Sequence, residues 1–360
     1  MVRPSGRTLL PYHPKPKPDE LFSSWLRRVA QGNSGSHRVH PFCDRFWPGR
    51  QLWTRDLDTV VREDVVRDLA ELTATPWIIA RETMLARFDG LVFEDVSRAM
   101  RKPWLCPVGV YHRTRRQAGL QWCPICLCED ERRPHYRRAW RFAFTTTCDR
   151  HGVVLTDRCH GCDAPAVPHR RVDEGCVVCG LDRRDAPFGR PDPRAVAVQE
   201  QMTIVLRAGR AQLPEGNHQH PLVFSRILHR IVSLLAFRPK STALREVVAR
   251  RFGGDPAPPA ARTKALGIEG LPVVERHRLF ALALPLLDDW PHRMIAVFQE
   301  AGLSWAWVLA DNEPGALPYA LFRPVRDHLF EQKAAWRPQD GWCRGLALTA
   351  YRASPPVRSG

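Results

Sequence analysis

Four short pairs of ligand-type residues constrain this chain more than any other feature. They are Cys123-Pro-Ile-Cys126, Cys148-Asp-Arg-His151, Cys159-His-Gly-Cys162 and Cys176-Val-Val-Cys179. Two intervening residues let the backbone turn tightly, so both members of a pair point at one metal. Zn²⁺ takes four nitrogen or sulfur ligands in a tetrahedron, and four pairs therefore make two closed sites. Gly161 and Gly180 suit the turns of such knuckles. The simplest pairing follows chain order. Site one is then Cys123, Cys126, Cys148 and His151, and site two is Cys159, Cys162, Cys176 and Cys179. A cross-braced arrangement is the alternative. The gap between Cys162 and Cys176 resembles a zinc-ribbon spacing and favours chain order. Closed sites leave no position for substrate or water, so both ions are expected to act in folding. The wide spacing and the histidine disfavour iron–sulfur clusters. Cys43, Cys106, Cys128 and Cys343 remain, and each reads as a buried or free thiol rather than a ligand.

The rest of the chain reads as helical. Leu21, Phe22, Trp25, Leu26, Val29 and Ala30 share one face of a helix that starts near Asp19 and is expected to end at Gly32-Asn33. A short helix follows over Val39 to Phe46, broken at Trp47-Pro48-Gly49. Residues 63–86 read as a helix pair, with Thr75-Pro76 as cap and first position of the second helix, which runs to Leu85. That pair suggests a helix-turn-helix, although a plain helical hairpin gives the same pattern. Asp192-Pro193 caps a later helix. Leu222 to Ala236, Thr242 to Phe252 and segments from Val274 onward complete the helices. Pro291 to Leu309, broken at Gly302, is a second helix-turn-helix-like pair. The expected architecture is mostly α: helix-turn-helix-type domains flanking a double zinc-binding, zinc-ribbon-like module. The boundaries are an N-terminal domain at 1–102 with a basic Pro-rich arm, the zinc module at 103–188, a C-terminal helical domain at 189–340 and a tail at 341–360.

Charge points to the partner. Lys and Arg total 54 against 38 acidic residues, a net charge of +16. Such a balance favours a polyanion, DNA or RNA above all, although Arg-rich coding alone produces the same excess. Arg113, Arg115, Arg116, Arg132, Arg133, Arg137, Arg138 and Arg141 cluster around the first ligand pair, interleaved with Tyr136 and Trp140. They are the candidate phosphate-binding residues; the competing reading has the aromatic residues in the core and the arginines paired with Glu129, Asp130 and Glu131. No apolar run is long enough to span a membrane and no secretory segment is evident, so a cytoplasmic protein is expected.

Enzyme signatures are missing. No His-x-Glu accompanies the cysteine pairs as zinc deaminases require. No phosphate-binding Gly-rich loop, nucleophile elbow or His-Glu-x-x-His helix occurs. Asp56-Leu57-Asp58 is the nearest thing to a carboxylate metal site, and a helix cap or a salt bridge is the simpler role for it.

Leu10-Pro11, the run Asp19 to Ala30 containing Ser24-Trp25-Leu26, and Trp53 to Asp58 belong to one pattern. Trp122-Cys123-Pro124-x-Cys126-Leu127, Asp130, Tyr136-Arg137-Arg138-x-Trp140-Arg141 and Cys148-x-x-His151-Gly152 through Cys162 continue it. This pattern resembles the TniQ proteins, which include TnsD, over roughly the first half of the chain. The resemblance implies a non-catalytic factor that selects the target site in DNA transposition. It implies partners: target DNA or an RNA-guided CRISPR complex on one side, a TnsC/TniB-like AAA+ ATPase and its transposase on the other, and often a second copy of the chain. The Pro-rich arm, Leu9 to Pro18, is the expected docking element for the ATPase, with Trp25 and Trp53 as candidate anchors; the competing reading places both tryptophans in the core of the N-terminal helices and is the stronger one for Trp25, on the apolar face. A zinc-finger and helix-turn-helix transcription regulator would use the same parts and is the second reading.

Overall fold

The computed structural model describes residues 8–330 apart from 36–37, 61–62, 98–101, 112–113, 132, 172, 213–217, 238–239, 260–263 and 310–316. It is mostly helical. Among the described residues, strands are confined to two hairpins, β1 (Val110–Tyr111) with β2 (Thr114–Arg115), and β3 (Ala211–Gln212) with β4 (His218–Gln219).

In the N-terminal region α1 (Phe22–Ser34) buries Phe22, Trp25, Leu26, Val29 and Ala30, the face expected from their spacing. Around it lie α2 (His40–Phe46), α3 (Leu57–Val60), α4 (Glu63–Leu72) and α5 (Trp77–Arg81). Trp47, Trp53, Leu57, Val65 and Leu69 close this core. The helix α1 does not stop at Gly32-Asn33 but at Gly35, whose φ of 57° supplies the left-handed cap. Gly32 serves another purpose. A Cβ there would lie 1.9 Å from the Tyr12 ring, so glycine admits the N-terminal arm against the helix. Asn33 then clamps that arm, accepting from Tyr12 N and donating to Tyr12 O.

The arm is therefore part of the fold. Leu10 is buried and its N–H donates to Leu72 O. Trp25 Nε1 donates to Pro14 O at 2.8 Å, and Arg28 to Lys15 O. Over the described residues the arm is thus ordered on α1, whose side chains donate to the carbonyls of Tyr12, Pro14 and Lys15, and it needs no partner to take this conformation. Both candidate anchors are core residues too: Trp25 is fully buried, and Trp53 is 3 % exposed and stacked on His169 at 4.5 Å. The second helix of the 63–86 pair is also shorter than expected. Thr83 bonds back to Ala80 O and ends α5 at Arg81, and Thr75 bonds Thr73 rather than capping.

Beyond the zinc-ligand segment, which contains α6 (Pro124–Glu129), come α7 (Pro193–Ala208), α8 (Pro221–Phe237), α9 (Ser241–Phe252), α10 (Val273–Leu287), α11 (His292–Glu300), α12 (Trp305–Leu309) and α13 (Tyr319–Leu329). Asp192 caps α7 as its sequence indicates, accepting from Arg194 N. α10 packs along α7 and α8. One core runs without a break from Trp104, Trp122 and Phe142 into Val198, Leu228, Phe280 and Phe298. Polar bonds cross the same junction. Arg276 of α10 donates to Ala143 O and Gln121 Oε1, Gln199 of α7 accepts from Thr146 N and Thr147 N, and Asp157 accepts from Val273 N.

Candidate metal centres and their buried arginine frame

Cys123 is the N-cap of α6, with Pro124 in its first turn, where a missing N–H costs nothing. Its Sγ accepts from Cys126 N, and the first helical turn brings Cys126 to the same point. Opposite, Cys148 N donates to Val153 O and Gly152 N to Cys148 O, with Gly152 at φ 58°. This tight turn swings His151 over the cysteines. His151 Nδ1 lies 3.5 Å from Cys123 Sγ, 3.3 Å from Cys126 Sγ and 3.5 Å from Cys148 Sγ. Cys126 Sγ and Cys148 Sγ are 3.6 Å apart. Ligand atoms at about 2.0–2.3 Å from one tetrahedral ion lie about 3.3–3.8 Å from one another, so these four fit a zinc ion.

The second cluster repeats the knuckle. Cys159 N donates to Ala164 O and Cys176 N to Leu181 O. Cys159 Sγ is 3.4 Å from Cys179 Sγ, and Cys162 Sγ is 3.6 Å from Cys176 Sγ. Gly180, at φ 82°, makes the turn expected of it. Gly161 does not: Asp163 carries the positive φ in that knuckle, and Gly161 is small because Leu181 presses on it. The two clusters follow chain order, and the cross-braced arrangement is not formed.

Within each cluster the thiols share their protons unevenly: Cys123, Cys126 and Cys162 are pushed above the usual thiol range by their sulfur neighbours and burial, and Cys148 and Cys176 are held below it. Hydrogen bonds from Cys123 and Cys126 keep Cys148 well below the usual thiol range. Burial would raise Cys176, but the N–H groups of Cys179 and Val178 bring it down to about 6. The thiolate is the form that ligates a metal. The remaining cysteines stand apart from both clusters. Cys43 and Cys106 are buried, Cys128 is exposed with its Sγ towards Arg184 O, and Cys343 lies outside the described residues.

Residues 11–155 match the TniQ family model. The chain carries a TniQ domain. No curated protein matches the chain. The TniQ match takes in the N-terminal core and the whole of cluster one, and it ends before Cys159.

Within the TniQ domain four of the six described arginines expected on a nucleic-acid face, Arg115, Arg137, Arg138 and Arg141, are buried. Arg141 is fully buried. Its Nη1 and Nη2 bind Asp56 at 3.0 and 2.6 Å, and Nη1 also binds Asp58 Oδ2 at 2.9 Å. Asp58 in turn accepts from Ser23 N and Ser23 Oγ on α1. Burial opposes the charge on Asp56, but Arg141 holds its carboxyl below the usual range. The Asp56-Leu57-Asp58 segment is thus an arginine receptor, the second of the two roles, helix cap or salt bridge, that its sequence suggested. Arg115 is buried beside this group, Arg138 binds Asp19 Oδ1 at 2.9 Å, and Arg137 lies over the Trp140 ring and reaches Asp130. Tyr136 and Trp140 are core residues. Arg116 and Arg133 are exposed, and Arg113 and Arg132 lie outside the described residues. The eight arginines therefore do not form one outward face, because nearby carboxylates on the N-terminal core claim Arg138 and Arg141.

A further ion pair has almost no signature in the sequence. Glu174, two residues before Cys176, is buried and binds Arg27 of α1 at 2.7 Å and the Tyr136 hydroxyl at 2.6 Å. Arg183 stands 3.6 Å away. Against the cost of burial, Arg27 and Arg183 hold the Glu174 carboxyl below the ordinary range. The one available signal is that Arg27 falls beside the apolar face of α1.

Proposed function

We propose that this protein is a non-catalytic adaptor that selects the target site in DNA transposition, joining target DNA or an RNA-guided complex to an AAA+ ATPase. The match of residues 11–155 to the TniQ family carries this reading. Zinc in both clusters is a structural cofactor in it. All eight ligand atoms are supplied by the chain, and four-coordinate closed sites serve folding rather than catalysis. The net charge of +16 supports a nucleic-acid partner. Among the eight arginines, Arg116 and Arg133 are the described ones with surface to offer. The pair α11 and α12, joined through Gly302 at φ 65°, is the proposed helix-turn-helix element.

The test combines co-purification with function. The intact protein is expected to retain the cognate ATPase on DNA, to support targeted insertion and to hydrolyse no nucleotide alone. DNA binding without any ATPase association would overturn the adaptor reading. Arg116→Glu with Arg133→Glu is expected to lower the slope of log K against log salt by about 0.9 for each phosphate that is no longer neutralised. An unchanged slope would remove these two residues from the interface.

A further inference from the structure

The proposed zinc in cluster one needs a histidine that presents a lone pair from one particular nitrogen. Neutral imidazole carries its proton on one nitrogen and its lone pair on the other, and the partner of the protonated nitrogen decides which is which. In this fold His151 turns Nδ1 to the three sulfurs. Its Nε2 points the other way and lies 2.9 Å from Glu129 Oε1. Glu129 is the last residue of α6, the helix whose first turn supplies Cys123 and Cys126. One short helix thus provides two ligands at its start and a carboxylate at its end. That carboxylate is itself held, because Arg150 Nη2 binds Glu129 Oε2 at 2.6 Å. The same guanidinium brings Nη1 to 4.0 Å from Cys126 Sγ, next to the sulfur charge.

From this chain of hydrogen bonds we infer that Glu129 is the positioning residue of cluster one: by accepting the Nε2–H of His151 it fixes Nδ1 as the ligating atom. Arg150 steadies Glu129 and offsets part of the negative charge of three thiolates around one divalent ion. Outer partners of this kind typically govern metal affinity by about 10–100-fold. Cluster two has four sulfur ligands and no imidazole to orient, so it has no use for such a carboxylate and serves as an internal control.

The inference rests on cluster one holding zinc, and the experiment separates the two claims. Zinc affinity of each cluster in the full chain is measured by competition with a chromophoric chelator, with Co²⁺ absorption to distinguish a three-sulfur, one-nitrogen site from a four-sulfur site. Wild-type protein is expected to show both sites. Absence of the three-sulfur, one-nitrogen site in wild type would sink the zinc reading itself. Glu129→Ala is expected to weaken cluster one by about tenfold or more and leave cluster two unchanged. Glu129→Gln, which keeps an acceptor oxygen, is expected to recover part of the loss. Nitrogen-labelled histidine spectra of the zinc-bound wild type are expected to show a protonated Nε2 on His151. Unchanged affinity in Glu129→Ala, equal weakening of both clusters, or ligation through Nε2 would each overturn the role assigned to Glu129.

Discussion

Cluster one keeps Cys123, Cys126 and Cys148 at 3 % exposure or less, inside the larger core beside Trp122 and Leu155. Cluster two leaves Cys162 half-buried and Cys179 exposed, and Val178 beside them is 69 % exposed. The first lies within the TniQ match and the second beyond it. Their neighbouring carboxylates differ to the same effect. Glu129 is on the surface and turns back to its own ligand, whereas Glu174 is buried and reaches away to Arg27 of α1. The same kind of four-ligand cluster thus sits in two different settings. Cluster one is a component of a core shared with the C-terminal helices, and cluster two is a peripheral staple that holds a buried carboxylate in place for the N-terminal helices.

That contrast can be broken most directly at the ligands. Each structural zinc contributes on the order of 10 kcal/mol to folding. Cys148→Ser is expected to abolish the cooperative thermal transition of the whole chain, because it opens the shared core. Cys179→Ser is expected to cost one zinc per chain while α7 to α13 still unfold cooperatively. Metal analysis with circular dichroism melting measures both. Equal collapse in the two variants would erase the distinction between core and staple.

A smaller effect sharpens what the staple does. Glu174→Ala leaves Arg27 and Arg183 buried without their carboxylate, and breaking such a pair costs about 3–5 kcal/mol. The loss is expected in hydrogen-exchange protection of α1 and its neighbours rather than in zinc content. Arg141→Ala strands Asp56 and Asp58 and is expected to cost a similar amount in the same region. If exchange in α1 is untouched by Glu174→Ala, cluster two does not support the N-terminal core. The smallest change is Cys128→Ser, two residues beyond Cys126. With Cys128 exposed and outside both clusters, it is expected to alter stability by no more than about 0.5 kcal/mol and to leave zinc stoichiometry unchanged.

The two groups of ligand-type residues and the apolar face of α1 are legible in the sequence, whose spacing favours chain order over a cross-braced arrangement without excluding the latter. Each depends on residues within a turn or a short run, where spacing alone sets geometry. The small departures are local competitions that spacing does not reveal. Gly32 reads as a helix stop until the Tyr12 ring is seen against it, and Gly161 reads as a turn until Asp163 takes the positive φ. The arginines are a different matter. Positive charge in sequence announces that an anion is needed, but not whether it is a phosphate of DNA or a carboxylate of the same chain. Arg141 meets Asp56 across 85 residues and Arg27 meets Glu174 across 147. Only the packing of the N-terminal core against the zinc-ligand segment brings those groups together. The sequence by itself thus determined which cysteines and histidine gather into metal-binding-type clusters, and the helical class. The tertiary structure decided which cations are internal, because desolvated pairing depends on distances that no local pattern encodes.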